Sequence, residues 1–533
     1  TLIDMYAKCG FLHEAWKTFD SIQVRDTVSW NVLITGYVEY GYNEAAIMCF
    51  EHMQLDGVPP DSVSYICSIK ACANIGDIKK GENIHSDIDK MGPLGRDPVV
   101  RNALINMYAK FGFIEKAEEI FGDTFDRNVI SWTTIIKGYV ECGHCEQALR
   151  CFEQMQCEGI SPNAITFISI LKACESIEAI VRGKEVHCQI GSIGNFEGDF
   201  SIIGNELVHM YAMCGFLEEA WNLVDKVWAR DVSLWTSLIM GYVEHGHGDK
   251  AMECFDLMHL EGISPDAFTL VSILKACGIT GAVYKGKQIH AKIANMGILE
   301  KDAILGTSLV NMYARCGDLV QAKEVLKNLS VRDLISWNAL IAGYAQQGEY
   351  HEVLNCFECM QSEGLLPNVV TFVCVMNACS HSGLLDEAQV HFHNMNKHYG
   401  LTQTMEHHAC MVGLFGCAGR FDKAMSVIQT IPSCRNPSVW LLLLGYCRKW
   451  GNVKFGRLAF DSAIRLDDTV AAAYVLMSNI YSTAGMQDDA QIVEESMKAR
   501  NADLKKPGMS METDAKHMLS KYPHMACNDG NCP

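Results

Sequence analysis

The chain has 533 residues, 49% of them hydrophobic and 20% charged, so several domains or a stack of repeats are expected rather than one core. It has no apolar run of the roughly 18 residues that a membrane-spanning helix needs, and its composition is that of a well-packed protein rather than a disordered one. The formal net charge of −19 argues against a general polyanion binder. It still permits a reader of unpaired bases, which works by stacking and base-edge hydrogen bonds.

A repeat is visible in four tryptophans that lie in near-copies of one short phrase: Trp30, Trp132, Trp235 and Trp337. The phrase reads ValSerTrpAsn at 28–31 and IleSerTrpAsn at 335–338, and successive tryptophans are 102, 103 and 102 residues apart. An internal period this regular predicts a repeat array, and a helical solenoid is the first architecture to consider.

Each period divides into three helical hairpins of different length, after a partial short unit at 1–26. The long units are 27–61, 129–163, 232–266 and 334–368. The middle units are 62–97, 164–200, 267–302 and 369–404. The short units are 98–128, 201–231, 303–333 and 405–436. About thirteen hairpins are therefore expected in one superhelix, each depending on its neighbours to bury its apolar face.

The first long unit illustrates the pattern. Its first helix is expected to carry an apolar stripe and to end at Gly41; the stripe is Trp30, Leu33, Ile34 and Tyr37. Its second helix should begin near Asn43 and bury Ala45, Ile47, Met48, Phe50 and Met53. Gly57 is expected to end it, because glycine adopts the left-handed cap and the prolines that follow cannot extend a helix.

The rhythm changes after residue 436. Two further hairpins, similar to tetratricopeptide hairpins, are predicted from the apolar stretches at 437–447 and 471–481. We assign 437–508 to this extension and expect an irregular tail at 509–533. At the other end, residue 1 falls inside a helical phrase, so any targeting peptide is expected upstream.

Many of the 24 cysteines recur with the repeat. Three lie in a TyrAla-x-CysGly phrase: Cys9, Cys214 and Cys316. Four follow an alanine in a helical stretch: Cys72, Cys174, Cys277 and Cys379. Cysteine is therefore interpreted as a small buried helix residue, and a reducing compartment is favoured over a disulfide framework.

These phrases closely resemble the plant pentatricopeptide repeat proteins of the PLS class. The match rests on the SerTrpAsn and SerTrpThr openings, the MetTyrAla-x-CysGly phrases, GlyIleSerPro followed by Asn or Asp at 159–163 and 262–266, and LysGlyLysGlnIleHisAla at 285–291. Residues 369–436 resemble the final motif pair of that class, and 437–508 resemble its E-type extension. The resemblance implies an all-α, right-handed superhelical solenoid of helix-turn-helix repeats. It also implies a mitochondrial or chloroplast protein that binds single-stranded organellar RNA, most often to direct cytidine-to-uridine editing.

In this family each motif addresses one base, mainly through its fifth and last residues. The resemblance therefore implies seven reading pairs: Asn31/Asp61, Asn102/Asn128, Thr133/Asn163, Asn205/Asp231, Thr236/Asp266, Thr307/Asp333 and Asn338/Asn368. An ionised Asp only accepts hydrogen bonds and should favour G or U, whereas an Asn amide also donates and suits A or C. Thr leaves room for a purine, and Asn reaches towards a pyrimidine.

Read from 5′ to 3′, the pairs predict U, any base, C or U, A, any base, U, G, any base, G, and C or U. The middle units are left blank because their fifth residues cannot bond a base: Ile66, Ile168, Val271 and Val373. No base is assigned to the last short unit, which pairs Ala409 with Asn436. The edited cytidine is expected a few nucleotides downstream of the base facing that unit.

The second residue of the first helix is expected to pack against base faces at Val28, Val99, Ile130, Ile304 and Ile335. The short unit 201–231 carries Ile202 at this position and the long unit 232–266 carries Ser233, which should stack poorly. The alternative role for the polar pairs is ordinary helix capping, because Asn, Asp and Thr satisfy exposed amides at helix starts. The two roles are compatible.

The sequence does not predict an enzyme. Editing needs a zinc deaminase, and the partial matches to its motifs lie in repeat helices or their turns, where chance and packing explain them: His144/Glu146, His259/Glu261 and Cys356/Cys359. Cys527 and Cys532 have the wrong spacing. We therefore expect no cofactor, metal, membrane or DNA partner, and a deaminase supplied in trans through 437–508. The alternatives are a tetratricopeptide-like scaffold for a peptide, or an RNA-binding role in stability, splicing or translation.

Overall fold

The computed structural model describes residues 2–92, 94–124, 126–193, 200–226, 230–298, 302–431, 437–467 and 469–504. Over these residues the chain is helical, with turns and one short 3₁₀ helix and without strands. It forms two compact units, Thr1–Ile273 and Leu274–Pro533. In the described part no helix is long and apolar enough to cross a membrane. The expected tail at 509–533 and Asn436 lie outside the described residues.

The first unit contains sixteen helices and the start of a seventeenth. They are α1 (Leu2–Lys8), α2 (Leu12–Asp20), α3 (Thr27–Glu39), α4 (Asn43–Leu55), α5 (Ser62–Ile75), α6 (Ile78–Lys90), α7 (Pro98–Lys110), α8 (Ile114–Gly122), α9 (Val129–Glu141), α10 (Cys145–Cys157), α11 (Ala164–Ser176), α12 (Ile180–Ile193), α13 (Phe200–Met213), α14 (Leu217–Lys226), α15 (Val232–Glu244), α16 (Gly248–Leu260) and α17 (Ala267–Thr280). The 3₁₀ helix Leu94–Arg96 precedes α7.

The second unit continues from within α17 and repeats the same alternation. Its helices are α18 (Val283–Met296), α19 (Ala303–Arg315), α20 (Leu319–Asn328), α21 (Leu334–Gln346), α22 (Tyr350–Ser362), α23 (Val369–His381), α24 (Leu385–Lys397), α25 (Met405–Cys417), α26 (Phe421–Gln429), α27 (Ser438–Trp450), α28 (Val453–Leu466), α29 (Ala471–Thr483) and α30 (Gln487–Leu504).

Helices pair in sequence, and the pairs stack. Within each unit, first helices pack against the second helix of their own hairpin and against the first helix of the next, as α3 does with α4 and α5, and α21 with α22 and α23. Helices α1 to α26 make the thirteen expected hairpins, and α27 to α30 make the two further ones. The prediction of an all-α repeat solenoid is confirmed.

The first long unit shows why the hairpins end where they do. Gly41 and Gly57 have φ values of 81° and 72°, the left-handed conformation expected after α3 and α4. The expected burial of α4 is partly wrong, because Met48 is 56% exposed and Ala45 is only half-buried. The buried stripe runs instead through Ala46, Ile47, Cys49, Phe50 and Met53. Each residue turns the helix by about 100°, so Met48 lies outside this stripe.

The four repeat tryptophans and the cysteines that follow alanine occupy the core. The expected burial of the TyrAla-x-CysGly cysteines is wrong, because they lie at the ends of the first helices: Cys9 is exposed, and Cys214 and Cys316 are half-buried. Trp30, Trp132 and Trp235 are almost completely buried, and each meets an aromatic ring of the preceding short unit edge-on, from Phe19, Phe121 and Trp221 respectively. The four cysteines that follow alanine are fully buried, as predicted: Cys72, Cys174, Cys277 and Cys379. Every cysteine that the structure describes is free.

Where a short unit meets the next long unit, the contact contains an arginine and an acid. The ion pairs of this short-to-long junction are Arg25–Asp56, Arg127–Glu158, Arg230–Glu261 and Arg332–Glu363. The acid also receives the indole N–H in two cases, since Trp235 and Trp337 Nε1 lie 3.0 Å from Glu261 and Glu363 Oε2. In the other two, the buried Nε1 of Trp30 and of Trp132 has no hydrogen-bond partner among the residues that the structure describes.

Candidate nucleic-acid interface

The predicted reading residues occupy two fixed places in every long and short unit. The fifth residue lies in the first turns of the first helix and is buried or half-buried, as at Asn31 and Thr236. The last residue lies directly before the first helix of the next hairpin, as Asp61 does before α5. Five of the seven pairs are connected by hydrogen bonds, directly or through one hydroxyl, and two are not.

Three pairs bond directly. Asn31 Nδ2 donates to Asp61 Oδ1 at 2.9 Å. Asn205 Nδ2 donates to both carboxylate oxygens of Asp231, at 3.2 and 3.0 Å. In the last long unit Asn338 Nδ2 donates to the Oδ1 of Asn368 at 3.2 Å.

Two pairs are connected through a threonine of the following middle unit. The hydroxyls of Thr133 and Thr166 are 2.7 Å apart, and Thr166 Oγ1 donates to Asn163 Oδ1 at 2.9 Å. Similarly, the hydroxyls of Thr236 and Thr269 are 2.6 Å apart, and Thr269 Oγ1 donates to Asp266 Oδ1 at 2.7 Å.

The remaining two pairs belong to short units and are not connected within the described part of the chain. Asn102 Oδ1 is buried without a hydrogen-bond partner, and Asn128 bonds only the start of α9. Thr307 makes no hydrogen bond with Asp333, which bonds the start of α21. Sequence spacing alone did not distinguish these two pairs from the other five.

Helix capping, the alternative role, is confirmed at the last residues. A side-chain oxygen of each accepts a backbone N–H at the start of the next helix: Asp61, Asn128, Asn163, Asp231, Asp266, Asp333 and Asn368. At Asp61, burial opposes ionisation, but hydrogen bonds from the Ser64 backbone, Asn31 and the Ser64 hydroxyl outweigh it and lower the pKa. This side chain is therefore an ionised acceptor at neutral pH.

Exposed apolar side chains flank the pairs, as the second-residue prediction expects. Val28, Val99, Ile130, Ile202, Ile304 and Ile335 are all exposed, by 55% to 69% of their surface. The same register position is also exposed and apolar in the middle units, which sequence reasoning left blank: Val63, Ile165, Phe268 and Val370. Their position in the repeat was the sequence signal that could have predicted this exposure. The fifth residues of these units, Ile66, Ile168, Val271 and Val373, are half-buried.

Exposed lysines, which the sequence analysis also missed, lie on the same helix face. They follow the fifth residue by four positions, so they are adjacent to it on the helix: Lys70, Lys137, Lys172 and Lys275. Three of the four belong to middle units. They place positive charge on this face of the first helices in a chain whose net charge is −19, although Lys137 lies 3.6 Å from Glu141.

The residues of the partial metal-binding motifs make other contacts or are not placed together. Glu261 bonds Trp235 and Arg230, and Cys356 is buried while Cys359 is exposed on the same helix. Among the described residues, no group of three or more His, Cys, Asp or Glu side chains is placed to hold a metal ion. Cys527 and Cys532 lie outside them.

Comparison with known proteins gives a consistent result. A PPR repeat family model matches 25–74, 127–175, 230–278 and 332–381. A PPR repeat model matches 1–26, 99–129, 307–334 and 370–398, and an E motif model matches 450–512.

Similar proteins are found in Arabidopsis thaliana. A putative pentatricopeptide repeat-containing protein is 32% identical over 510 residues, which cover 96% of this chain and 72% of the relative. A mitochondrial one is 32% identical, with coverage of 96% and 78%, and a chloroplastic one is 32% identical, with 96% and 62%.

Among solved structures, the maize pentatricopeptide repeat protein PPR10 matches with 16% identity and a TM-score of 0.48, covering 94% of this chain and 84% of that one. Its complex with an 18-nt psaJ RNA element matches with 17% identity and a TM-score of 0.46, at the same coverage. The repeat and E motif matches, together with the length of chain shared with the Arabidopsis relatives, show that this chain belongs to the pentatricopeptide repeat family of plants.

Proposed function

We propose that the chain is a sequence-specific single-stranded RNA-binding protein of a plant organelle, in which the seven reading pairs each address one base. The observation that carries the proposal is the fixed register of the pairs. Five of seven are connected by hydrogen bonds, and the second residue of almost every unit presents an exposed apolar side chain beside them. Family membership and the mitochondrial and chloroplastic names of relatives support the same conclusion.

The surface supplies what recognition of unpaired RNA needs. Exposed Val, Ile and Phe side chains offer contact to base faces, and the polar pair between them offers donors and acceptors to a base edge. The lysines four residues after the fifth position lie where they can neutralise phosphates. The phenylalanine at position 268, which is 73% exposed, gives one middle unit a large apolar surface without a hydrogen-bonding fifth residue.

Within RNA binding, we assign the chain to cytidine-to-uridine editing, as a specificity factor for a deaminase supplied in trans. The E motif match, which overlaps the proposed extension at 437–508, favours editing over stability, splicing or translation. Helices α27 to α30 form the described part of that extension and are the proposed contact for the editing partner. If a relevant organellar cytidine is still edited fully when the protein is absent, the editing role is wrong.

The register is tested by gel-shift titration of the full chain with two single-stranded RNAs. One carries the predicted bases, and the other has its A and G positions exchanged. The variant Thr236→Asn should move the preference at its unit from G towards U, because an Asn–Asp pair replaces a Thr–Asp pair there.

Tight binding to the first RNA that is lost on exchange, and redirected by Thr236→Asn, supports base reading by the pairs. Equal binding to both RNAs, or binding to neither, would contradict it. A scaffold for a protein partner would then be the better account, since it needs no base register.

A further inference from the structure

A buried hydroxyl lies behind the fifth residue of every long unit. It belongs to the third residue of the first helix in the following middle unit. The pairs of side chains and their oxygen–oxygen distances are Ser64–Asn31 at 2.5 Å, Thr166–Thr133 at 2.7 Å, Thr269–Thr236 at 2.6 Å and Thr371–Asn338 at 2.7 Å. All four hydroxyl residues are fully buried, so they do not face solvent or a ligand.

The short units lack this contact. Ser131 has the corresponding position after the first short unit, but it bonds Asn128 and not Asn102, whose Oδ1 is buried without a partner. Leu234 has the position after the second, and the Oδ1 of Asn205 is likewise buried and unpartnered. The hydroxyl contact is therefore a property of the long units and not a general consequence of capping.

In the long units with Asn, the last residue and the hydroxyl together hold the amide in one direction. A carboxylate only accepts, so the Asn31 atom that faces Asp61 is the amide nitrogen. The Ser64 hydroxyl lies 2.5 Å from Asn31 Oδ1 and 3.0 Å from Asp61 Oδ1, and the shorter contact takes most of its proton. One amide N–H of Asn31 and the second carboxylate oxygen of Asp61 take no part in this network. They form a donor and an acceptor, the complement of the O4 and N3–H of uracil.

In the long units with Thr, the hydroxyl determines where the threonine proton points. Thr269 donates to the Asp266 carboxylate, so Thr236 donates its own proton to Thr269 and keeps only lone pairs for a ligand. Together with the second oxygen of Asp266, this makes two acceptors. Guanine, with N1–H and N2–H₂ on one edge, is the complementary base, whereas adenine presents an acceptor at N1.

The other two long units follow the same rule. Thr166 donates to Asn163 Oδ1, so Thr133 shares its proton between Thr166 at 2.7 Å and the Val129 carbonyl at 2.6 Å, and Thr166 is one of two groups that hold it. Asn163 keeps a free amide group, so the pair offers an acceptor and a donor, as adenine requires. Asn338 donates to Asn368 and accepts from Thr371, which leaves amide donors on both members for a pyrimidine with two acceptors.

We propose that Ser64, Thr166, Thr269 and Thr371 are positioning residues that set the donor and acceptor polarity of the reading pair in the preceding long unit. This inference rests on the proposed function, because it concerns how the same pairs choose a base. It adds a third, buried residue to the recognition of one base in every long unit and in none of the short units.

The test is Thr269→Val in the full chain, with two RNAs that differ only in G or A opposite the Thr236/Asp266 pair. Valine keeps the branched shape and the backbone N–H that caps with Asp266, but it releases the Thr236 proton. The preference for G over A should fall about tenfold, the effect of one hydrogen bond worth roughly 1.4 kcal/mol. Thr269→Ser, which retains the hydroxyl, should restore the preference.

The matched control is Ser336→Ala, which removes the hydroxyl at the corresponding position after a short unit, where it bonds only the Asp333 backbone, and should leave the preference for G at Thr307/Asp333 unchanged. If Thr269→Val does not fold, Ser64→Ala tests the preference for U over C at the first pair in the same way. A wild-type chain that prefers G while Thr269→Val prefers it equally overturns this inference and leaves base reading intact. A wild-type chain that does not distinguish G from A overturns the proposed function itself.

Discussion

Three kinds of junction join the hairpins, and two of them are built from different chemistry. The long-to-middle junction contains a polar network of the fifth residue, the last residue and a buried hydroxyl, as in Asn31, Asp61 and Ser64. The short-to-long junction contains a buried Trp, an Arg–acid pair and a close helix approach, with Gly241 beside Ala212. Both junctions therefore contain directional bonds, but only the short-to-long junction adds a buried indole and a close helix approach that join one trio to the next.

The short-to-long junctions also differ among themselves. In the two later ones the indole N–H of Trp235 and Trp337 bonds a glutamate, whereas in the two earlier ones the N–H of Trp30 and Trp132 is buried and unpartnered. Asp56 occupies the acid position beside Trp30 and is one methylene shorter than Glu261 or Glu363. The shorter side chain of Asp56 explains why the Trp30 N–H has no acid partner. Glu158, beside Trp132, is as long as Glu261, and nothing in the structure explains why it does not bond the Trp132 N–H.

The largest effect is expected when the close approach at a short-to-long junction is blocked. A Cβ at Gly241 would lie 2.4 Å from Ala212 Cβ and 2.9 Å from the Ala212 carbonyl oxygen, which is backbone and cannot rotate away. Gly241→Ala should lower the free energy of unfolding by about 1–3 kcal/mol, measured from urea denaturation.

The control for this variant is Gly445→Ala, also in a first helix, where a Cβ would meet nothing within 4 Å. It should be neutral or stabilising by about 0.5–1 kcal/mol, because alanine is the better helix former. Equal destabilisation by both changes would show that packing at this junction is looser than the contact distances imply.

A smaller effect is expected from removing the acid. Glu363→Ala leaves the Trp337 N–H buried without a partner and removes the ion pair with Arg332, so the free energy of unfolding should fall by about 1–2 kcal/mol. Asp56→Ala should cost about 0.5 kcal/mol or less, since Trp30 has no such bond to lose. Similar losses at the two sites would remove the distinction between early and late junctions.

The difference between the early and late short-to-long junctions can also be tested by adding a hydrogen bond. Asp56→Glu supplies the longer acid beside the unpartnered N–H of Trp30, while keeping the charge that pairs with Arg25. The free energy of unfolding should rise by about 0.5–1 kcal/mol, the usual net value of one added hydrogen bond. An unchanged urea midpoint would mean that side-chain length is not what separates Trp30 from Trp337.

The smallest effect on stability near neutral pH is expected at the last middle-to-short junction. His407 is the third residue of its helix there, the position that the buried hydroxyls occupy in the middle units. Its Nε2 donates to the Val369 carbonyl at 3.0 Å, and its Nδ1 accepts from the Thr404 backbone N–H at 3.3 Å, while the Thr404 hydroxyl donates to Glu406. Burial lowers the pKa of this imidazole below its ordinary value of 6.5. The unfolded chain therefore takes up a proton that the folded chain resists, and stability is lost as pH falls below about 6.5.

Urea midpoints at about pH 7.5 and pH 6 measure this loss, and His407→Gln should reduce the difference between them. Comparing the variant with the wild type isolates His407 from the other histidines whose pKa is lowered by burial, such as His187 and His290. A variant with an unchanged pH dependence would show that His407 is not the group responsible.

Much of the fold followed from local signals. The tryptophan period, the glycine stops and the apolar stripes predicted the hairpins, and the second-residue register predicted the exposed Val28 and Ile335. The orientation of individual side chains did not follow. Met48 was expected to be buried, yet the stripe of α4 passes beside it, because its position depends on where the neighbouring helices lie.

The hydrogen bonds among the reading residues could not be predicted from the sequence either. Asn31 and Asp61 are 30 residues apart and bond, while Asn102 and Asn128 are 26 residues apart and do not. Both pairs have suitable chemistry, and both last residues cap the next helix. Hairpin length does not decide the outcome, because Asn205 and Asp231 are also 26 residues apart and bond directly. The outcome depends on how successive hairpins are placed against each other, which is a tertiary effect that no local pattern contains.

The caps have a consequence for how such a chain changes over generations. At the start of α5, α11 and α23, one side-chain oxygen of Asp61, Asn163 or Asn368 accepts the backbone N–H, and Asp and Asn supply that oxygen almost equally well. Exchanging one for the other keeps the helix start and replaces the second oxygen by an amide, or the reverse. Substitution between these two residues therefore changes the stability of the fold little, while it converts an acceptor into a donor or the reverse. New base specificities can arise in this way without compensating changes elsewhere in the array.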